Sequence, residues 1–370
     1  MVDTLLARAA AARGIDTLVL SHADLQTDLV PPFAVERCLR CNPYLSGKEH
    51  ELLGAELFVT ENETMEADLN AHLPASRLRS GDIIVAHTVM AEQLIGILRW
   101  YNQLDRPELP LRFMMMFPPG FARPYRVSLE EALAERALAQ WGRSGANVRF
   151  FSDTDELSDF YRNLSALRFT TTPVAIDFGG LAPVARPDAT ERPLTWVFAG
   201  DARPEKGMIL LICAWSRYSL RHPGDRLIAQ VAHAEGRVRQ LVEKLRQVTI
   251  IEGALPDQDY FEHISSGDCI LLPYHPGSYR MRTAHILLEA LGMGRPVIVS
   301  PHPWMEEQLK RFANPVGVAM RRWNIDALEE CMEAVSANAE TLLRNAMTSA
   351  ATVRENHKAD RLLECFLEGI

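Results

Sequence analysis

Short apolar, β-rich runs alternate with amphipathic runs of helical length along almost the whole chain. That alternation marks a parallel sheet wound with helices, because parallel strands need long, usually helical, crossovers. In the first half the pattern predicts strands over residues 17–21, 57–60, 82–87, 111–117, 148–152 and 173–176. It predicts helices over 89–104 and 129–141, the latter with Ser128 as N-cap and Glu131 completing a capping box. The chain opens on a helix, residues 4–13, where a wound sheet normally opens on a strand. Either the first strand is missing, or the sequence starts late, or the first domain is unusual.

Residues 178–193 are rich in Gly and Pro, carry no apolar period and read as a linker. A second series follows, with strands over 196–199, 226–230, 248–252, 268–273 and 296–300. Its helices are expected over 208–219, 236–246, 257–264, 283–291 and from about 304 onward, and the tail from Ile325 is helical. The simplest architecture is two doubly wound α/β domains, 1–177 and 195–337, with a cleft between them.

Length changes this picture little, since 370 residues suit two domains. Composition is that of an ordinary globular chain, 47% apolar and 24% charged. The net charge of −9 argues against nucleic acid as a partner and allows at most peripheral association with an anionic membrane. No run approaches the ~20 apolar residues of a membrane span. The start lacks the layout of a secretion signal, so a cytoplasmic location is expected. The six cysteines are dispersed, so reduced and mostly buried thiols are the default. Cys38 and Cys41 have zinc or redox spacing, yet no second pair follows at zinc-finger distance.

Two segments carry candidate chemistry. The first runs from Phe198 through Gly200, Arg203, Pro204, Glu205 and Lys206 to Gly207, between a strand and a helix. A helix N-terminus exposes unpaired N–H groups and partial positive charge, so a lysine there is unfavourable until an anion joins it. With an anion, N–H groups, dipole and ammonium converge on one point. Pro204 suits a first helical turn and Gly207 allows close backbone approach. A solvated lysine in a tight turn and a phosphate site are both consistent with this segment. The second segment leads from Leu271 through a Pro/Gly-rich loop into a helix, where Arg282, His285 and Glu289 share one face among apolar neighbours. A largely buried Glu289 must be paired or hydrogen-bonded. His285 or Arg282 could satisfy it, or it accepts hydrogen bonds from ligand hydroxyls.

Taken together these segments resemble the donor-binding domain of GT-B glycosyltransferases, especially the retaining family four. The matching pieces are Gly200…Pro204-Glu205-Lys206-Gly207, Glu252-Gly253, Gly267-Asp268…Pro273 and Leu288-Glu289-Ala290…Gly294-Arg-Pro296-Val297. They keep the family's order and spacing over residues 195–310. The resemblance implies two Rossmann-like domains facing across a cleft, and C-terminal helices over 338–370 that pack back on the first domain. It implies that Lys206 neutralises a donor diphosphate and that Glu289 holds the nucleotide ribose. The loop over 277–282 would bound the sugar and phosphate, with Arg280 and Arg282 as phosphate forks. Tyr279 and Thr283 belong to the same donor cluster, with Gly200, Arg203 and Gly207. Two positions depart from the family: Asp201 stands where an arginine is usual, and Met281 where a second glutamate is usual.

The first domain resembles the acceptor half loosely. Asp82-Ile-Ile-Val-Ala-His87 matches a strand end that puts a histidine in the cleft, so His87 is the catalytic or substrate-orienting candidate beside a purely structural reading. The implied activity is transfer of a sugar from a nucleotide diphosphate sugar to a glycan, lipid-linked or protein acceptor. No metal or other cofactor is implied, because Asp153-Thr-Asp155 reads as a helix cap and cationic side chains carry the phosphate charge. A sugar-nucleotide epimerase, a phosphorylase and a non-catalytic partner or scaffold subunit are the alternatives. A dinucleotide oxidoreductase is disfavoured, since no Gly-x-Gly-x-x-Gly follows any strand.

Overall fold

The structure is a computed structural model that describes residues 2–24, 33–41, 54–121, 127–185, 192–200, 203–231 and 240–369, with side chains from residue 4 and, in the third stretch, from residue 58. It divides into two compact units, Met1–Ala175 with Ala359–Ile370, and Ile176–Lys358.

In the first unit, α1 (Val2–Ala12) leads to β1 (Leu18–His22) and β2 (Ala34–Leu39). Then come α2 (Gly54–His72), β3 (Ile84–Ala86), α3 (Ala91–Gln103), β4 (Leu111–Met114), α4 (Val127–Arg143), β5 (Val148–Ser152), α5 (Asp155–Ser165) and β6 (Phe169–Thr171). Strands β3-β4-β5-β6 form a parallel sheet in that order, and among the described residues β1 pairs with β2, also in parallel. The strand expected near the start therefore exists, but it joins a separate two-stranded sheet.

Three local expectations are corrected. Residues 57–60 lie in helix α2, not a strand. The β-branched Val59 and Thr60 suggested a strand, but Asn62, Met65 and Leu69 recur at helical spacing and are all buried. Ser128 lies inside α4, and Glu130 instead accepts a hydrogen bond from the Gly120 N–H at 2.6 Å. The last strand falls at β6 and not at 173–176, because Pro173 has no N–H to give a ladder whereas Thr170 and Thr171 suit one. Thr154 does cap α5, accepting from the Leu157 N–H at 3.1 Å.

The second unit contains β7 (Thr195–Phe198), α6 (Met208–Arg221), β8 (Arg226–Val231), β9 (Val248–Glu252), α7 (Asp257–Ser266) and β10 (Cys269–Leu272). It continues with α8 (Pro276–Tyr279), α9 (His285–Gly292), β11 (Val297–Val299), α10 (Pro303–Lys310), β12 (Gly317–Ala319) and α11 (Ile325–Asn356). Of the helix expected over 236–246, residues 236–239 lie outside the described residues. The six strands run parallel in the order β12-β11-β10-β7-β8-β9. From β7 the chain winds outward to β8 and β9, then returns to β10 and winds the other way. Such a reversal opens a crevice at the carboxyl ends of β7 and β10.

Buried carboxylates anchor the opposite end. Asp225 accepts from the Leu194 N–H at 2.8 Å, the Trp196 Nε1–H at 3.1 Å and the Tyr218 hydroxyl at 2.6 Å. Asp268 accepts from the Thr195 N–H at 2.8 Å and from both terminal nitrogens of Arg192 at 2.7 and 2.5 Å. The stretch read as a linker is thus fastened to this unit at Arg192. It is fastened again where Arg295 donates to the Val184 carbonyl at 2.6 Å and where Phe178 stacks under Arg354 at 4.3 Å. Residues 186–191 of it lie outside the described residues.

Helix α11 breaks at Asn338 yet stays in the second unit, and only the closing helix α12 (Ala359–Leu367) belongs to the first. Leu362, Leu363 and Phe366 pack with Leu5, Leu6, Ala9 and Ala10 of α1. The fully buried Arg112 of β4 donates Nε–H to the Phe366 carbonyl at 2.9 Å, and Arg149 of β5 donates to the Glu368 carbonyl at 2.7 Å. Cations at a helix C-terminus meet its partial negative charge and its unpaired carbonyls.

Replacing Asp268 by Ala leaves Arg192 and the Thr195 N–H without their buried acceptor. Urea unfolding should show a loss of about 3–5 kcal/mol, the usual cost of breaking a buried ion pair from one side.

Candidate functional site

The crevice of the second unit is built from two loops. After β7 the chain passes Gly200 and makes a single 3₁₀ turn, Pro204–Lys206, before α6 starts behind Gly207. Proline at the start of that turn supplies the φ it needs. Gly207 has φ +75° and gives α6 no side-chain cap, so the helix presents its N-terminal N–H groups at the loop. After β10 the second loop runs through Pro273, Tyr274 and His275 into α8. The loops meet at the backbone: the His275 N–H donates to the Glu205 carbonyl at 2.7 Å. A β-carbon on Gly207 would stand 1.9 Å from the Pro273 carbonyl oxygen. The Trp323 indole also donates to that oxygen, at 2.9 Å.

Lys206 lies between the loops. Its ammonium sits 5.5 Å above the Tyr274 ring, and so close to Gly200, where φ is +116°, that a β-carbon there would be 2.6 Å from Nζ. The Tyr274 ring is 4.6 Å from that of Tyr279, and the Arg282 guanidinium covers Tyr279 at 4.4 Å. Tyr274 is buried, and its hydroxyl has no hydrogen-bond partner among the described residues. Burial first, then the neighbouring Tyr279 and Glu289, push this phenol well above its usual range. An orphaned buried hydroxyl costs about 1–3 kcal/mol, which a ligand oxygen at that point would recover.

Glu289 lies on α9 near this cluster. The Tyr260 hydroxyl, from α7, donates to Oε2 at 2.7 Å. Burial pushes the Glu289 carboxyl up, while the Tyr260 hydrogen bond and the Lys206 charge oppose that shift. Burial also pushes the Tyr260 phenol up, so it remains a neutral donor. The partner is thus neither of the two expected from helix spacing. Helix α9 begins only at His285, which leaves Arg282 and Thr283 on the preceding loop and not on its face. Arg203, beside the turn, pairs with Glu205 at 3.2 Å, and Arg280 is exposed.

Sequence reasoning missed His302. Fully buried at the start of α10, it accepts from the Met305 N–H at Nδ1, 3.3 Å, and donates from Nε2 to the Tyr279 carbonyl. It holds the Tyr279 loop in place as a neutral ring, and burial lowers its pKa. A helix-capping histidine before Pro303 was the available signal. Tyr260 offered none, being 29 residues from Glu289 along the chain.

In the first unit, His87 lies just past the carboxyl end of β3. Its Nδ1 is 2.8 Å from Thr88 Oγ1, and that hydroxyl donates to Met116 Sδ at 3.4 Å. Thr88 has φ +60°, a left-handed conformation that a β-branched residue rarely adopts. Strain of about 1–3 kcal/mol of this kind persists only where neighbours impose it. Here the Val89 N–H is tied to the Met114 carbonyl at 3.0 Å and the Met90 N–H to the Gln93 side chain at 3.0 Å. Among the described residues no three His, Cys, Asp or Glu side chains gather as metal ligands, and all six cysteines are free thiols. Nor is any described helix long and apolar enough to cross a membrane.

These two units define a GT-B fold, the architecture of a large class of glycosyltransferases. Among solved structures the chain is similar to sucrose-phosphate synthase from Thermosynechococcus elongatus, at a TM-score of 0.70 and 16% identity over 98% of this chain and 90% of that one. WaaG, a glycosyltransferase involved in lipopolysaccharide biosynthesis, matches at 0.66 and 16% identity over 100% and 95% of the two chains. Anabaena HepE, solved in complex with UDP and glucose, matches at 0.66 and 14% identity over 100% and 96%. No family model matches the sequence, and no curated protein does.

Gly207→Ala should lower stability by about 1–3 kcal/mol or more in urea unfolding, because the new methyl meets a carbonyl that the backbone fixes. The buried His263 and His302, both held below the ordinary value of 6.5 by burial, set a pH dependence. The unfolded chain takes up these protons first, so their contribution is intact above about pH 6.5 and is lost as pH falls below it. The thermal midpoint should drop between about pH 7.5 and about pH 5.5, and His302→Asn should make that slope shallower.

Proposed function

We propose that the protein is a glycosyltransferase that moves a sugar from a nucleotide diphosphate sugar to a hydroxyl-bearing acceptor. The observation that carries this reading is the convergence of Lys206, the uncapped N-terminus of α6 and the Arg282–Tyr279 pair around the carboxyl ends of β7 and β10. HepE, solved with UDP and glucose on the same fold, supports it.

In this reading the donor diphosphate lies at the start of α6 against Lys206. The bond from the sugar's anomeric carbon to the diphosphate breaks, a new bond to the acceptor oxygen forms, and the acceptor's hydroxyl proton is released. The electron pair leaves with the nucleoside diphosphate, where helix dipole and ammonium meet the growing charge. Glu289, oriented by Tyr260, accepts hydrogen bonds from the nucleotide ribose. Gly200 and Gly207 admit the phosphates close to the backbone. Arg203, Arg280 and Arg282 offer further phosphate contacts, and Tyr279 and Thr283 bound the sugar. These cations carry the phosphate charge without a metal, and no further cofactor is needed. The acceptor is a glycan such as a growing polysaccharide, a lipid-linked sugar or a protein. His87 of the first unit serves it, and the setting is cytoplasmic.

Thermal-shift titrations with UDP, GDP, dTDP, ADP and CMP test the donor site. A nucleotide at 100 times its dissociation constant adds about 2.7 kcal/mol, several degrees for units of this size. One diphosphate should raise the midpoint of the wild type, and Lys206→Ala and Glu289→Ala should each lose most of that rise. A folded wild type that responds to none of them overturns the reading in favour of a non-catalytic partner or scaffold, the alternative that Met281 raises.

A further inference from the structure

Helix α9 is short, and Glu289 stands three residues before its end at Gly292. At a rise of ~1.5 Å per residue, about 4.5 Å of helix axis separates the two, so whatever fixes the last turn also places the carboxylate. The last carbonyls of a helix find no partner within it. Here the Met293 N–H closes on the Glu289 and Ala290 carbonyls at 2.9 and 3.1 Å, and the Gly294 N–H on that of Leu291 at 3.0 Å. The Gly292 carbonyl instead accepts from Nε–H of Arg354, near the end of α11, at 2.6 Å. Nη2 of the same guanidinium reaches Met293 Sδ at 3.0 Å, and its Cζ lies 4.3 Å over the Phe178 ring. A cation at this point also meets the negative end of the helix dipole. Phe178 in turn fills the space beside Gly292, where a β-carbon would stand 2.3 Å from its ring. Glycine, aromatic ring and guanidinium form one clasp.

We propose that Arg354 and Phe178 are positioning residues for Glu289: they fix the last turn of α9 and so set where the carboxylate meets the ribose. This role presupposes the ribose contact of Glu289 proposed above. Tyr260 orients the carboxylate itself, whereas the clasp fixes the backbone that carries it. Arginine suits the task better than lysine, because a planar guanidinium can donate along its edge while its face lies on a ring. The clasp also ties α9 to the places where the chain enters and leaves the second unit. Phe178 lies two residues after Ile176 and Arg354 four before Lys358, and the Ile176 N–H donates to the His357 carbonyl at 2.9 Å. The ribose contact is thereby anchored on both connecting segments.

Two measurements on the full-length protein test this role. Amide hydrogen exchange, read on peptides covering residues 285–295, needs no ligand. Arg354→Met keeps the stem and removes the charge, and should speed exchange there about fivefold, the worth of one net hydrogen bond. Arg354→Lys should speed it less. The second measurement is titration with whichever of UDP, GDP and ADP shifts the wild type, beside the 2′,3′-dideoxy analogue of that nucleotide. Arg354→Met should weaken binding of the parent nucleotide about fivefold and leave the analogue, which offers Glu289 no ribose hydroxyl, nearly unchanged. In a Glu289→Ala background the same substitution should cost no further affinity, since both changes remove one interaction. Phe178→Leu should reproduce the pattern, and it carries the test should Arg354→Met fail to fold. Unchanged exchange over α9 overturns the proposal. Equal losses for the two ligands, or additive losses in the double variant, overturn it as well, because they mean a general loosening. A wild type that binds none of these nucleotides removes the donor-site reading and this role with it. A wild type that binds, with Arg354→Met binding equally well, removes this role alone.

Discussion

The geometry of the crevice in the second unit depends on a backbone contact between Gly207 and the Pro273 carbonyl. Two loops that leave neighbouring strands approach so closely there that no side chain fits at residue 207. Beside that approach, Lys206 lies between Gly200 and the Tyr274 ring. The Pro273 carbonyl also receives the Trp323 indole, so the same atom ties in the segment before α11. A cationic side chain beside a helix N-terminus is unfavourable in isolation, and the contact holds it there all the same. An anion entering the site finds donors already aimed, which is what makes binding and charge stabilisation effective without reorganisation.

The two ends of the second sheet are built on opposite principles. At the amino ends of β7 and β10, Asp225 and Asp268 are saturated with hydrogen bonds and shielded from water. At the carboxyl ends, Tyr274 has an unsatisfied hydroxyl and Glu289 keeps a raised pKa despite its tyrosine partner. Satisfied buried networks give rigidity, whereas unsatisfied ones mark places where a further group belongs. His302 links the two regimes, because it is buried in the manner of the anchors yet holds the loop that carries Tyr279.

Much of the second unit was legible in the sequence, since its strands are short apolar runs closed by Gly or Pro and its site motifs are local. Pro204 to Gly207 and Leu288 to Ala290 each specify their surroundings within a few residues. What escaped was whatever depends on distant segments. Tyr260 reaches Glu289 from another helix, His302 reaches Tyr279 across a strand, and Tyr274 sits in an apolar run that reads as core. In the first unit the β-branched Val59 and Thr60 misled because tertiary burial of Asn62, Met65 and Leu69 set the period. Thr88 gave no warning either, since nothing in a threonine's local sequence signals a left-handed backbone. The strand after α1 was legible, but its pairing with β2, apart from β3-β4-β5-β6 among the described residues, could not be read from a pattern that records periodicity and not neighbours.

Arg112 and Arg149 grip the last turn of a helix that lies at the far end of the chain from α1, with which it packs. During synthesis the first unit emerges from the ribosome long before that helix does. Its sheet must therefore wait, with the Leu5–Leu6 face of α1 and the guanidinium of Arg112 uncovered, until the whole second unit has been made. The entropy of closing a loop grows only slowly with its length, so the cost to final stability is modest. The packing of the first unit is completed by a helix translated after the whole second unit, so order of emergence and order of completion of that packing are reversed.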